Sequence, residues 1–152
     1  MLLATIAALA AGAAVDSNSS SAAPQLTTSC GAVSGTLADN EVMTFKGIPF
    51  AAKPKRWTPP EPCVAWQGVR DGSKFGASCV QSDGTGDEDC LFVNVFAHKD
   101  VVGDPKAALP VMVFIYGGSY EIGDSALYDA TETIGLLNKS AVMVTLNSPE
   151  FR

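Results

Sequence analysis

Histidine is almost absent from this chain: among 152 residues there is one, His98. Basic residues are also scarce, with 10 Lys and Arg against 16 Asp and Glu, a formal net charge of −6. That balance argues against a nucleic-acid partner, whose affinity is built from Lys and Arg contacts to phosphate. Charged residues of both signs make up only 17% while apolar residues make up 47%. A chain that apolar and that weakly charged is not a disordered polymer. Beyond the N-terminus no apolar run approaches the roughly 20 residues of a membrane-spanning helix. With one imidazole and cysteines at no zinc-like spacing, a Cys/His metal site is excluded as well.

What is present begins with an unusual leader. Leu2 to Ala11 is an unbroken run of Leu, Ala, Thr and Ile, followed by Gly12, Ala13 and Ala14 and then by a polar Ser-rich stretch. A short apolar run ending in an A-x-A-like site is the pattern of a secretory signal peptide, here without the basic residues that usually precede it. The expected organisation is a signal peptide over 1–14, a polar leader over 15–26, a folded region over 27–147 and a divergent tail over 148–152. Cys30, Cys63, Cys79 and Cys90 suit an exported chain, where an even count reads as two disulfides whose connectivity the residues leave open. Asn18 and Asn138 each open an N-x-[ST] sequon and are expected glycosylation sites in a secreted, extracellular protein.

Short β-like segments fall at Ala32 to Thr36 and at Glu41 to Phe45, and the Pro-rich stretch from Lys53 to Pro62 must be irregular. Leu91 to Phe96 reads as a strand from its β-branched and aromatic content. Val111 to Ile115 and Ala141 to Leu146 are continuous apolar runs, the pattern of strands buried on both faces. Between them, Ala126 to Asn138 is expected to form a helix with Ile134 and Leu137 on one side. Strand, helix and strand in that order spell a crossover in a parallel α/β sheet. His98, just past a strand, is expected on a surface loop.

At the end of the first buried run stands Ile115-Tyr116-Gly117-Gly118-Ser119-Tyr120. Adjacent glycines at such a strand end let backbone N–H groups face a cavity. In α/β-hydrolases a loop in this place donates to the oxyanion of the tetrahedral intermediate, at about 3–4 kcal/mol per donor.

Gly117-Gly118 lies among further motifs: Gly31-x-x-x-Gly35, Phe45-Lys46-Gly47-Ile48-Pro49-Phe50-Ala51, Arg56-Trp57-x-Pro59-Pro60, Trp66-x-Gly68-Val69-Arg70-Asp71, Cys79-x-Gln81, Glu88-Asp89-Cys90-Leu91-x-Val93-Asn94-Val95, Leu109-Pro110-Val111-Met112-Val113 and Val144-Thr145-Leu146-Asn147. In order and spacing the chain resembles the N-terminal portion of the type-B carboxylesterase/lipase family, which includes cholinesterases, fungal lipases and the non-catalytic neuroligins. It departs from the family at Phe92 and His98, in the short Lys53-Pro54-Lys55 segment, and at Ser119, where a third glycine is usual.

The resemblance implies a truncated α/β-hydrolase fold: a small N-terminal β-sheet plus the first strands of the central sheet. It implies a Cys79–Cys90 disulfide, which leaves Cys30 to Cys63, and an ion pair between Arg56 and Glu88. It assigns the oxyanion-facing amides to Gly118 and Ser119, with Gly117 shaping the turn, and a carboxylic ester as substrate, with no cofactor and no metal. The serine, acid and histidine that such a hydrolase needs are missing in their family order, and no Gly-x-Ser-x-Gly elbow occurs. Gly123-Asp124-Ser125 resembles the motif of another lipase class, but Asp124 or Ser125 is expected to cap the helix that follows. The expected function is therefore an N-terminal fragment of a secreted serine ester hydrolase, inactive alone, its last apolar run (142–146) left as an unpaired sheet edge. The alternative is a non-catalytic secreted binding or adhesion protein of the same fold.

Overall fold

A computed structural model describes residues 23–104 and 106–149. Residues 1–14, expected as a signal peptide, residues 15–22 of the leader, the Asn18 sequon and residues 150–152 of the tail lie outside the described residues.

Two sheets stack on each other. The smaller has the order β1-β2-β5, from β1 (Gln25–Thr27), β2 (Ala32–Ser34) and β5 (Val69–Asp71), with β2 antiparallel to β1 and parallel to β5. The larger has the order β3-β4-β6-β8-β7, from β3 (Thr36–Leu37), β4 (Val42–Pro49), β6 (Phe92–His98), β7 (Val111–Phe114) and β8 (Val142–Leu146). Its pairings are antiparallel except between β7 and β8, which run parallel. The connection between those two carries a 3₁₀ turn (Ser125–Leu127) and helix α1 (Thr131–Leu137).

The strands form where alternate side chains find opposite faces. Leu26 and Val33 of the small sheet pack on Phe45, Ile48, Val93, Val95, Val144 and Leu146 of the large one. On the other face Val42 and Phe96 meet Ala130 and Ile134 from the α1 segment. All seven residues of β6 are buried, so this strand is the centre of the molecule. Fully burying a side chain such as Phe45, Phe96 or Ile134 stabilises by about 1.5–3 kcal/mol each, and all three are buried here.

Four expectations are corrected. Residues 142–146 are not an edge: β8 is hydrogen-bonded on both sides, by β6 and by β7. Among the described residues the edge is β7 instead, and its apolar run is not buried on both faces, since Met112 is 38% and Val113 43% exposed. The expected single helix is split, because two aspartates each begin a separate turn. Asp124 Oδ1 accepts from the Ala126 amide at 2.9 Å, and Asp129 Oδ1 from the Thr131 amide at 2.9 Å. Of its apolar pair, Ile134 is buried and Leu137 is 38% exposed. Finally, His98 is no surface loop residue but the buried last residue of β6, paired opposite Val42.

Candidate active site

Parallel β7 and β8 both end on the same side of the sheet, where ligands of α/β folds collect. The loop leaving β7 is a two-step turn. The Gly118 carbonyl accepts from the amides of Glu121 at 3.0 Å and Ile122 at 3.1 Å. The intervening Ser119 and Tyr120 have φ of 56° and 60°, the left-handed conformation at both central positions of a type I′ turn. A trans peptide sends its C=O and N–H in opposite directions. The Ser119 N–H therefore leaves the turn on the side away from Glu121 and Ile122. Among the described residues the amides of Gly117, Gly118 and Ser119 donate to no acceptor.

The glycines are dictated by close approach. Gly118 has φ of 153°, and a Cβ there would run into the Ile122 carbonyl oxygen. At Gly117 nothing lies within 4 Å of where a Cβ would stand, so that side of the loop is open. Tyr116 ties the loop to the end of β8: its hydroxyl donates to the Ser148 carbonyl at 3.1 Å and accepts from the Ser148 amide at 3.2 Å.

Cys79 is bonded to Cys90 across a Cα–Cα distance of 4.9 Å, and both are buried against Ala51 and Leu91. Cys30 is bonded to Cys63, tying the small sheet to the Pro-rich segment. Arg56 Nε lies 2.7 Å from Glu88 Oε1 with both side chains nearly half exposed, an arrangement worth about 0–1 kcal/mol. This pair forms part of the wall of a groove of about 280 Å³, shared with Trp57, Val80 and Pro149.

With this geometry in place, the comparisons with known proteins are decisive. The family model described as "Carboxylesterase family" matches residues 22–148. The chain belongs to the carboxylesterase family. Fumonisin B1 esterase of Sphingopyxis macrogoltabida is 42% identical over 134 residues, covering 79% of this chain and 23% of that protein. Bile salt-activated lipase of Homo sapiens is 39% identical over 129 residues, covering 74% of this chain and 16% of that protein. Among solved structures, a PNB esterase superposes with a TM-score of 0.72 at 39% identity, covering 83% of this chain and 27% of that one. Aspergillus niger EstA superposes with a TM-score of 0.76 at 28% identity, covering 85% and 26%. The chain thus spans between 16% and 27% of the length of these curated relatives and their neighbours in the family. Its architecture is that of a truncated α/β-hydrolase fragment.

For a carboxylesterase chain, the remaining candidate groups are distributed unhelpfully. Ser125 is buried, its Oγ accepting from Asn94 Nδ2 at 3.0 Å and its amide donating to Asn147 Oδ1 at 3.0 Å. His98 stands at the opposite end of β6 from Asn94, four residues on, or about 13 Å at strand rise. There its Nδ1 accepts from the Asp100 amide at 3.2 Å and its Nε2 lies 3.4 Å from Glu41 Oε2. A hydrogen bond from Lys99 holds the Glu41 carboxyl below its ordinary value, and one from Lys139 does the same for Asp100. That cluster borders the start of β8, on the far side of the sheet from the glycine loop. Ser125 and His98 are not brought together. Asp104 lies in the β6–β7 connection, where its carboxylate accepts from the Lys106 amide. Asn138, in its sequon, is exposed at the C-terminal end of α1 with φ of 46°.

Residue-by-residue reading missed the polar groups that hold the 3₁₀ turn beyond the loop. Buried Asn94 accepts from the Gly47 amide at 2.9 Å, where β4 shifts register, and donates to Ser125 and Thr145 hydroxyls. Asn147 Nδ2 donates to the Ala77 carbonyl at 2.8 Å. Asn94 sits inside an apolar run, which was the available signal: a lone amide in a buried strand must have partners. Among the described residues no three His, Cys, Asp or Glu side chains gather as a metal site, and no helix is long and apolar enough to cross a membrane.

Proposed function

We propose that this chain is the N-terminal part of a secreted serine carboxylic ester hydrolase, to which it contributes the oxyanion loop at residues 117–119. The Gly118 and Ser119 amides face the developing oxyanion of an ester substrate, and Gly117 shapes the turn. The nucleophile, acid and base lie outside these 152 residues, so the chain alone does not turn over esters. One observation carries the reading: the loop spends the Gly118 carbonyl on its own turn and, among the described residues, leaves the amides of residues 117–119 unclaimed. Donors held ready in this way stabilise charge that develops only in the transition state.

Two assays test it. The chain expressed alone is expected to hydrolyse a short-chain p-nitrophenyl ester no faster than a boiled control. Turnover abolished by Ser125→Ala would overturn the inactive reading. A chimera carrying residues 27–147 in place of the matching segment of Bacillus subtilis para-nitrobenzyl esterase is expected to be active. Gly118→Ala in that chimera, which drives a Cβ into the Ile122 carbonyl, should lower kcat by about 10²–10³-fold. An active chimera indifferent to Gly118→Ala would remove the oxyanion role.

A further inference from the structure

Gln81, two residues past the Cys79 end of the buried disulfide, reaches the return limb of the glycine loop. Its carboxamide lies against Gly123 as a neighbouring strand would. Oε1 accepts from the Gly123 amide at 2.6 Å, and Nε2 donates to the Gly123 carbonyl at 3.0 Å. The second hydrogen of Nε2 goes to the Cys79 carbonyl at 2.6 Å, so both donors of the group are used.

The backbone beneath it is equally fixed. Gln81 donates to the Thr85 carbonyl at 2.8 Å and accepts from the Gly84 amide at 3.0 Å, while Ser82 donates to the Glu121 carbonyl at 3.0 Å. The segment closed by Cys79–Cys90 thus touches the glycine loop at both Glu121 and Gly123. Gly123 in turn presses on the start of the loop. Its φ is 146°, and a Cβ there would overlap the Tyr116 ring and stand 3.2 Å from the Gly117 carbonyl oxygen.

We propose that Gln81 is the positioning residue of this loop: by clamping both backbone groups of Gly123 it sets the direction of the amides at 117–119, and the Cys79–Cys90 bond anchors the clamp. Its significance for ester hydrolysis rests on the oxyanion reading above. The clamp requires a neutral side chain that both donates and accepts. Glutamate has nearly the same shape, yet ionised it has no donor and points an oxygen at the carbonyls of Gly123 and Cys79. Protonated, it regains one O–H donor.

Amide hydrogen exchange on the full chain, normalised for intrinsic rates, tests the clamp without reference to catalysis. Against wild type, Gln81→Glu at pH 7 is expected to speed exchange of residues 121–123 at least tenfold while β4 and β6 keep their protection. Protection in the loop should return as pH falls through the new carboxyl's titration, and Gln81→Leu should be fast at every pH. Unchanged loop exchange in both variants overturns the proposal. So does loss of protection that spreads to β4 and β6 in both, which would mark a general stabilising role. In the chimera Gln81→Glu should lower kcat more than it changes KM. If Gly118→Ala is silent there but the exchange result holds, the oxyanion reading fails and the clamp stands.

Discussion

Replacing Asn94 by alanine puts the largest load on the fewest atoms. The side chain is 1% exposed and makes three hydrogen bonds to three separate parts of the chain: the β4 bulge, the 3₁₀ turn and β8. The Ser125 and Thr145 hydroxyls can rotate toward other partners once it is gone, so those two bonds are worth about 1 kcal/mol each. The Gly47 amide cannot rotate. Gly47 sits at φ of 63°, with the Lys74 carbonyl 2.8 Å from where a Cβ would be. Its orphaned amide should cost a further 1–3 kcal/mol or so. The expected loss is about 3–5 kcal/mol, a large part of the 5–15 kcal/mol or so that holds an ordinary domain together. Urea unfolding followed by fluorescence of Trp66, whose indole N–H donates to the Ala32 carbonyl, is the assay. With a slope of about 2 kcal/mol/M the midpoint should fall by about 2 M. Ser125→Ala alone should cost about 1 kcal/mol, and nearly nothing in the Asn94→Ala background. A loss below 1 kcal/mol for Asn94→Ala, at unchanged slope, would show that the bulge amide has another acceptor and would refute the reasoning.

Ser119→Gly should stabilise the chain by about 0.5–1 kcal/mol. It removes a left-handed penalty of about 1–2 kcal/mol and restores part of the unfolded chain's freedom, and a lower melting temperature would contradict it. Asp129 is a pH probe. Burial pushes its carboxyl up, but bonds from Lys46 Nζ at 2.6 Å and from Thr131 outweigh burial and hold it below its ordinary value. A carboxyl lowered on folding stabilises above its unfolded pKa of about 3.9 and loses that contribution as pH falls through the folded value. Wild type should therefore exceed Asp129→Asn in urea stability at pH 7, with the gap closing below pH 4 or so; a constant gap would contradict this. Expression through a secretory pathway should return a mature N-terminus at Ala14 or Val15 and a glycan on Asn138 that Asn138→Gln removes. An N-terminus at Met1, or unmodified Asn138, would count against export.

The apolar runs made β6, β7 and β8 legible, because a strand's own side chains announce that it will be covered. They did not announce by what. The Val111 to Ile115 run reads as doubly buried, yet the described residues leave Met112 38% and Val113 43% exposed. Similarly, His98 joins β6 because Val42, more than fifty residues earlier, supplies its pairing partner. At the site, Gly117-Gly118 is visible as a motif from its strand-end position. Gln81, by contrast, looks like any polar residue after a cysteine; its two bonds to Gly123 exist only once the loops are folded together.

The strand order of the large sheet has a consequence for how the chain assembles as it is made. Reading β3-β4-β6-β8-β7, the strand made latest among the described ones is the one that slots between two made earlier. Until residue 146 has emerged, the facing rims of β6 and β7 have no partner, and the two strands have no hydrogen bonds to each other. Before then only β3, β4 and β6 of this sheet are joined, and the rims that await β8 carry Val93 and Val95 on β6 and Met112 and Val113 on β7. At a synthesis rate of about 5–20 residues per second, those rims wait several seconds for their insert. A second nascent copy on the same message carries the same slot and the same missing piece.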